Sequence, residues 1–170
     1  MDFEYLLLQM EHHAEAIRAL ATGISGEQAC WKPDPDSWSI LEVINHLYDE
    51  ERQDFRIRLD ILLRDSHEEW PAIDPQGWVT EREYNRRDLA DSLGKFLSER
   101  EQSLAWLRGL ASPDWSAARP VPRGGLYTVG DMFAAWVAHD VLHLRQLVEL
   151  DYAYLVRAAE PHGVGYAGDW

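Results

Sequence analysis

The chain has 170 residues, 46% of them hydrophobic, which predicts a single globular domain over residues 1–170. Its 30 acidic and 16 basic residues give a formal net charge of −14, which argues against binding to nucleic-acid phosphates or anionic membrane surfaces. The lone cysteine excludes an intramolecular disulfide, no signal peptide is recognisable, and no apolar run reaches the ~18 residues of a membrane span, so we expect a cytoplasmic protein.

Four segments show the 3.6-residue hydrophobic periodicity of helices, and no segment alternates as a strand does. Four helices of similar length predict an all-α fold, a four-helix bundle with long crossover loops. Because the long connections can cross the length of the bundle, the order of up and down helices stays open. The predicted helices run from about Phe3 to Ala21, from the sequence WSILEVINHL to about Leu63, from about Arg87 to Leu110, and from Thr128 to about Arg157.

The second and fourth helices carry the same start signal. Ser39 and Glu42 have the spacing of a capping box, and Trp38 is placed for a hydrophobic staple. Thr128 and Asp131 repeat the box with aspartate in place of glutamate. Both helices therefore have well-defined first residues, from which the depth of any later residue can be counted.

Two long irregular connections carry Trp70, Trp78 and Trp115. Loops of this length are unusual in a compact bundle and often have a function. The three indoles can wall a substrate pocket, or they can pack over the ends of the bundle. We interpret Cys30, in the connection between the first and second predicted helices, as a packing residue.

Two histidines lie four residues apart in the fourth helix, within the sequence WVAHDVLHLRQLVEL. Residues i and i+4 lie ~40° apart on one helix face, so His139 and His143 share a sector that is otherwise mostly apolar. His46 lies in a similarly apolar sector of the second helix. Measured along the helix axis from each cap, His46 and His139 lie at the same depth to within about one turn. If the two helices run parallel, this places them at the same level of the bundle; if they run antiparallel, helix length decides and the agreement is not informative.

Three imidazoles in an apolar interior need partners, because an unsatisfied buried polar group costs ~1–3 kcal/mol. A divalent metal satisfies all three at once, and three histidines with an open fourth position form a known catalytic ligand set. The alternative is that they are ordinary core or surface histidines, which is the more common reading of an isolated His pair.

Two sequence blocks resemble the DinB-like (DinB/YfiT) superfamily. DSWSILEVINHLYDEE (36–51) is similar to its Trp-Ser/Thr-x-x-Glu-x-x-x-His segment, and HDVLHLRQL (139–147) is similar to its His-x-x-x-His-x-x-Gln-Leu signature. The resemblance implies a four-helix bundle with a zinc or nickel ion held by His46, His139 and His143. It also implies a small-molecule substrate, thiol-dependent S-transfer as one known activity, and a homodimer.

Further polar residues have open roles. Glu50 follows His46 by one turn and can be a further ligand, a hydrogen-bond acceptor behind a ligand or a general base, or equally the partner of an arginine. Asp140 points away from the ligand sector and is expected to pair with a basic group or an imidazole N–H. Gln146 can contact a ligand or be a buried structural amide. His67 is expected in solvent, and the tail that ends at Trp170 can dock on the body.

Three functions follow from these observations. The leading hypothesis is a metal-dependent transferase that uses a small thiol, with metal-dependent hydrolysis as the alternative. The third is a metal-binding bundle without catalysis, in which a further side chain closes the coordination sphere. HDVLH resembles the HExxH motif of zincin metalloproteases, but it has aspartate in place of the glutamate and no strands accompany it. A di-iron carboxylate protein requires Glu-x-x-His pairs on two helices, which the sequence does not contain.

Overall fold

The computed structural model describes residues 1–66, 68–121 and 124–168, so the expectations for His67 and Trp170 lie outside the described residues. Within those ranges, no helix combines the length and the apolar character that crossing a membrane demands. The helices and strands are α1 (Phe3–Ala21), α2 (Gly26–Cys30), α3 (Ile40–Glu50), a π-helical turn (Glu51–Phe55), α4 (Arg56–Leu63), α5 (Pro75–Glu81), α6 (Leu89–Arg108), β1 (Ala118–Pro120), β2 (Leu126–Thr128) and α7 (Val129–Ala159).

The all-α fold class is confirmed, and the four predicted helices correspond to α1, to α3 with α4, to α6 and to α7. The second helix is continuous to Leu63 but contains the π-helical turn, which the periodicity did not predict. The expectation that no strand exists was wrong, because β1 and β2 form a small antiparallel hairpin ahead of α7. Strands of three residues are too short to show an alternating pattern.

Both predicted capping boxes are present. The Ser39 hydroxyl accepts the Glu42 N–H while the Glu42 carboxylate accepts the Ser39 N–H, and Thr128 and Asp131 make the same reciprocal pair. Ser39 is fully buried and also donates to Asn85 Oδ1 at 2.6 Å. The cap therefore fixes the start of α3 and ties it to the segment before α6.

Aromatic and aliphatic contacts define the helix directions. Phe3, at the start of α1, packs against Phe133 near the start of α7, so these helices run parallel. Ile40, at the start of α3, packs in one cluster with Leu150 far along α7, so α3 and α7 run antiparallel. The helix formed by α3 and α4 runs parallel to α6, because Ile44 shares a cluster with Phe96 and, further along both helices, Leu59 shares a cluster with Leu107. The parallel arrangement that would have matched the depths of His46 and His139 is not the one adopted.

The core consists of two apolar clusters, one toward each end of the bundle. The first contains Leu59, Leu107 and Phe133; the second contains Ile44, Phe96 and Leu147. Between them, at mid-length, lies a layer of buried and half-buried polar side chains to which every long helix contributes. This polar layer consists of His13, His46, Glu50, Glu51, Arg100, His139, Asp140 and His143.

Candidate metal centre

Three histidine rings converge in the polar layer. His46 comes from α3, and His139 and His143 come from successive turns of α7. His139 Nε2 lies 3.3 Å from His46 Nε2 and 3.1 Å from His143 Nε2, and ligand nitrogens of all three lie within 4.8 Å of one another. Tetrahedral nitrogen ligands at ~2.0–2.1 Å from zinc are separated by about 3.4 Å. The spacing of the three nitrogens therefore fits one ion.

The three imidazoles are held in the neutral form. Burial lowers the pKa of His46 to about 2, and the charges of His143 and His139 act in the same direction. Burial also lowers the pKa of His139 to about 3 and lowers the pKa of His143, against the effect of its Gln146 hydrogen bond. Neutral imidazole is the form that binds a metal, so the site is ready for a cation at neutral pH.

Two side chains stand behind the rings, on the side of the Nδ1 atoms. His143 Nδ1 lies 2.8 Å from Gln146 Oε1, which accepts a hydrogen bond from the Nδ1–H and so leaves His143 Nε2 with a free lone pair. Glu50 Oε1 lies 3.7 Å from His46 Nδ1, and both atoms are buried without a hydrogen-bond partner. A small rotation of the His46 ring would bring its Nδ1–H within hydrogen-bond distance of Glu50 Oε1. That N–H would then also point away from the cluster.

Glu50 differs from its buried acidic neighbours. Asp49, Glu51 and Asp54 each pair with an arginine, whereas no described arginine lies in ion-pair contact with Glu50. Burial raises the pKa of Glu50 to about 8, with a hydrogen bond to Asp54 and its charge as further causes. Glu50 is therefore largely protonated at neutral pH. It does not belong to the group of ligand atoms formed by the three histidines.

Aromatic rings enclose the cluster. The Trp38 ring lies 4.9 Å from the His46 ring and is parallel to the His143 ring at 6.4 Å, and Phe55 lies 5.0 Å from His139. The Trp38 indole also borders a pocket of about 460 Å³ that reaches His143. This pocket is lined by Pro33, Asp36, Ser37, Trp38, Gln76, His143, Gln146, Glu149 and Leu150. A small molecule in it would contact the edge of the histidine cluster.

A buried ionic group lies on the other side of the cluster. Arg100, from α6, forms paired hydrogen bonds with Glu51 in the π-helical turn and with Asp140 in α7. Trp136 Nε1 donates to Glu51 Oε2 at 3.1 Å, and His13 Nδ1 lies 3.4 Å from Asp140 Oδ2. The pairing expected for Asp140, with a basic group or an imidazole, is confirmed.

The π-helical turn accounts for two of these contacts. It starts at Glu51 and ends at Phe55, directly after the helix that carries His46. An extra residue within a helical turn changes the direction of the side chains that follow it. Here the turn brings Glu51 to Arg100 and Phe55 to His139.

Comparison with known proteins agrees with this architecture. The family model of the DinB superfamily matches residues 9–147. The chain belongs to the DinB superfamily. This DinB chain is similar in structure to YfiT from Bacillus subtilis, described as a probable metal-dependent hydrolase with an unusual four-helix bundle topology. The TM-score is 0.77 at 17% identity, over 88% of this chain and 86% of YfiT, which shows a shared fold. No curated protein matches the chain.

The site of this DinB protein contains residues that the sequence patterns singled out and others that they missed. His46, His139 and His143 lie together, with Gln146 beside them and Glu50 behind His46. Trp70, Trp78 and Trp115 are not among the described residues that line the pocket at His143. Trp115 stacks on Phe3 and Phe133, Trp78 is covered by Arg82, and Trp70 lies under Arg58.

Two residues near the site have roles that no local sequence pattern predicts. Trp38 belongs to the staple and to the segment that resembles the family, but neither pattern predicts that its ring faces two of the histidines, as it does. Arg100 was not singled out, although its side chain is 2% exposed. The signal that could have found Arg100 is its position, since it falls between Phe96 and Leu104 on the apolar face of α6.

Proposed function

We propose that the protein is a metal-dependent enzyme that acts on a small molecule, with a divalent metal held by His46, His139 and His143. The observation that carries this proposal is the convergence of three neutral imidazole nitrogens within 4.8 Å of one another, beside a pocket. When bound, the ion would supply Lewis acidity to a polarised substrate group or to a nucleophile. Zinc and nickel are the metals we expect.

The chain's own residues would prepare the site for this chemistry. Gln146 fixes the orientation of His143, and Glu50 is proposed to accept the Nδ1–H of His46 and to hold a proton close to the centre. Trp38 and Phe55 exclude water from two sides of the cluster. Electrostatic interactions with a reacting group are stronger in such a water-poor site.

For the reaction class we propose hydrolysis. The structural neighbour YfiT is described as a probable metal-dependent hydrolase. No lysine or arginine is among the described residues that line the pocket, and such side chains usually bind the carboxylates of low-molecular-weight thiols. Thiol-dependent S-transfer stays the alternative because of the family resemblance, and the homodimer stays a prediction.

The non-catalytic alternative requires a protein side chain in the remaining coordination position. Glu50 was the candidate for that position. Its Oε1 lies on the Nδ1 side of His46, whereas the three Nε2 atoms face one another on the other side. This arrangement favours an enzyme over a closed structural site.

The pocket also supports a substrate class. Among the described residues that line it, Asp36 and Glu149 are charged, and Glu149 Oε1 forms an ion pair with Arg145 Nε at 3.2 Å. The chain as a whole carries −14. We therefore propose that the substrate is uncharged or positively charged at the end remote from the reacting group, since an anionic end would be repelled.

A matched set of metal-chelating hydroxamates with ammonium, methyl and carboxylate tails tests the substrate class. With metal-loaded protein, we expect the ammonium compound to bind at least about fivefold more tightly than the carboxylate compound at low salt. Asp36→Asn should reduce this preference. Equal affinity of the three compounds would rule out charge selection.

The enzyme proposal is tested by elemental analysis of the purified protein and of His143→Ala, followed by two activity panels. One panel contains esters and amides, and the other combines small thiols with electrophiles. We expect stoichiometric metal that is lost in the variant, and metal-dependent turnover in the ester and amide panel. Turnover only with thiols would support S-transfer, and metal without turnover in either panel would support the non-catalytic alternative.

A further inference from the structure

We propose that Arg100 is a positioning residue of the metal centre, which holds the His46-bearing helix and the His139-bearing helix at the separation that a shared ion requires. This inference rests on the proposed metal site. It assigns a role to α6, which contributes no imidazole to the cluster.

All five N–H groups of Arg100 are used. Nε and Nη2 donate to the Glu51 carboxylate at 2.8 and 3.0 Å, and Nη1 and Nη2 donate to the Asp140 carboxylate at 2.7 and 2.8 Å. The remaining Nη1 hydrogen reaches the carbonyl oxygen of Met10 at 3.1 Å. A planar guanidinium with every donor engaged fixes both the distance and the angle between its partners.

Both carboxylates that Arg100 holds are adjacent in sequence to residues of the site. Asp140 directly follows His139, and Glu51 directly follows Glu50, one turn beyond His46. Movement of Asp140 would therefore carry His139 with it, and movement of Glu51 would carry the end of α3. Trp136 adds a direct link between α7 and Glu51.

The position of Arg100 separates positioning from catalysis. Its guanidinium is buried between the two carboxylates and is not among the lining residues of the pocket at His143. Arg100 therefore does not contact a substrate in that pocket and can affect it only through the positions of the helices that it joins. The expected consequence of disturbing it is a change in the spacing of the ligands.

Two variants and one control test this role. Arg100→Lys keeps the positive charge but loses the fork that holds two carboxylates. The triple variant Glu51→Leu, Arg100→Met and Asp140→Leu removes all three charges together, a replacement that buried ionic groups often tolerate without loss of folding. Leu107→Ala is the control, because Leu107 is equally buried on α6 but lies in an apolar cluster.

The measurements are the Kd for Zn²⁺ by chelator competition, the visible absorption spectrum of the Co²⁺-loaded protein, and the Tm without metal. For Arg100→Lys and for the triple variant, we expect a Kd about tenfold to a hundredfold higher and an altered Co²⁺ spectrum. For Leu107→Ala, we expect a lower Tm with the Kd within about twofold of the wild type and an unchanged spectrum.

The two possible failures are distinguishable. If Arg100→Lys and the triple variant both fold and bind Zn²⁺ and Co²⁺ as the wild type does, the positioning role is wrong and the metal site stands. If the wild-type protein binds neither Zn²⁺ nor Co²⁺, the proposed function fails and the positioning role fails with it.

Discussion

At the scale of single residues, the chemistry of the site depends on burial. If exposed to water, His46, His139 and His143 would each be positively charged at mildly acidic pH, but burial lowers the pKa of all three. Burial acts in the opposite sense on Glu50 and raises its pKa to about 8. The same apolar surroundings therefore produce three neutral bases and one neutral acid.

The affinity for metal should depend only weakly on pH above the lowered pKa values of the histidines. Three ordinary imidazoles with pKa near 6.5 would lose about a thousandfold in affinity between pH 7.5 and pH 5.5, because each must release a proton. The pKa values of about 2 for His46 and about 3 for His139 lie below this range, so only one imidazole could contribute its tenfold, and we expect a loss of at most about tenfold. Chelator competition at four pH values measures this, and a thousandfold loss would contradict it.

Glu50→Gln should make the metal-free protein less sensitive to alkaline pH. The pKa of Glu50 is raised from 4.5 to about 8 in the folded protein, so its contribution to stability is fully present below pH 4.5 and is lost as pH rises through about 8. Glutamine cannot ionise. The difference in unfolding free energy between the variant and the wild type should therefore shift in favour of the variant by at least about 1 kcal/mol from pH 5 to pH 9. Urea unfolding at the two pH values measures this difference.

A control variant separates this effect from the general charge. Glu149→Gln removes an acid that is exposed on α7. Its stability relative to the wild type should change little between pH 5 and pH 9. Parallel pH curves for Glu50→Gln and the wild type would show that Glu50 ionises normally.

The sequence was informative about residues wherever a local pattern carried the information. The spacing of His139 and His143 on an apolar face predicted their common direction, and the position of His46 predicted that it faces inward. The roles of Trp38 and Arg100 depend on side chains from other helices, and the acidic partners of Arg100 lie 49 and 40 positions away from it. No pattern within one helix records such a partner.

At the scale of elements, the caps and the π-helical turn set where the ligands lie. Helix starts were predictable because a capping box is local in sequence. The π-helical turn was not, because ERQDF continues the helical pattern and the turn is selected by contacts of Glu51 and Phe55 with other helices. The short α2 and α5 were missed for a related reason, since five and seven residues are too few to show periodicity.

Ser39→Ala should destabilise the protein more than Thr128→Ala. Both substitutions remove a helix cap, which costs about 1 kcal/mol. Ser39 is also fully buried, and its loss leaves Asn85 Oδ1 without that donor, which adds about 1–2 kcal/mol. Chemical denaturation of the two metal-free variants measures both values, and equal losses would show that the Asn85 contact contributes nothing.

At the scale of the whole molecule, the bundle alternates apolar, polar and apolar layers along its length. The amphipathic faces of the helices predicted the apolar clusters and the fold class. They did not predict the antiparallel relation of α3 and α7, since a hydrophobic face has no preferred direction toward its neighbour. The order of the helices depends on the long connections, whose paths the sequence leaves open.

Metal binding should stabilise the whole bundle through the ligand set. At a free metal concentration of 100 times Kd, the folded protein should gain about 2.7 kcal/mol, seen as a higher Tm. His139→Ala should lose nearly all of this gain, whereas His12→Ala, which alters an exposed histidine of α1, should retain it. An equal gain in the two variants would place the binding elsewhere.

The distance in sequence between His46 and His139 has a consequence for the unfolded chain. His46 and His139 are 93 positions apart, so one ion bound to both would close a loop that contains α4, α5, α6 and the hairpin. Closing a loop of this length by a covalent bridge reduces the conformational entropy of an unfolded chain by an amount worth about 4–5 kcal/mol. A protein with a single cysteine cannot form such a bridge from sulfur. An ion retained by both histidines would serve it as a removable cross-link.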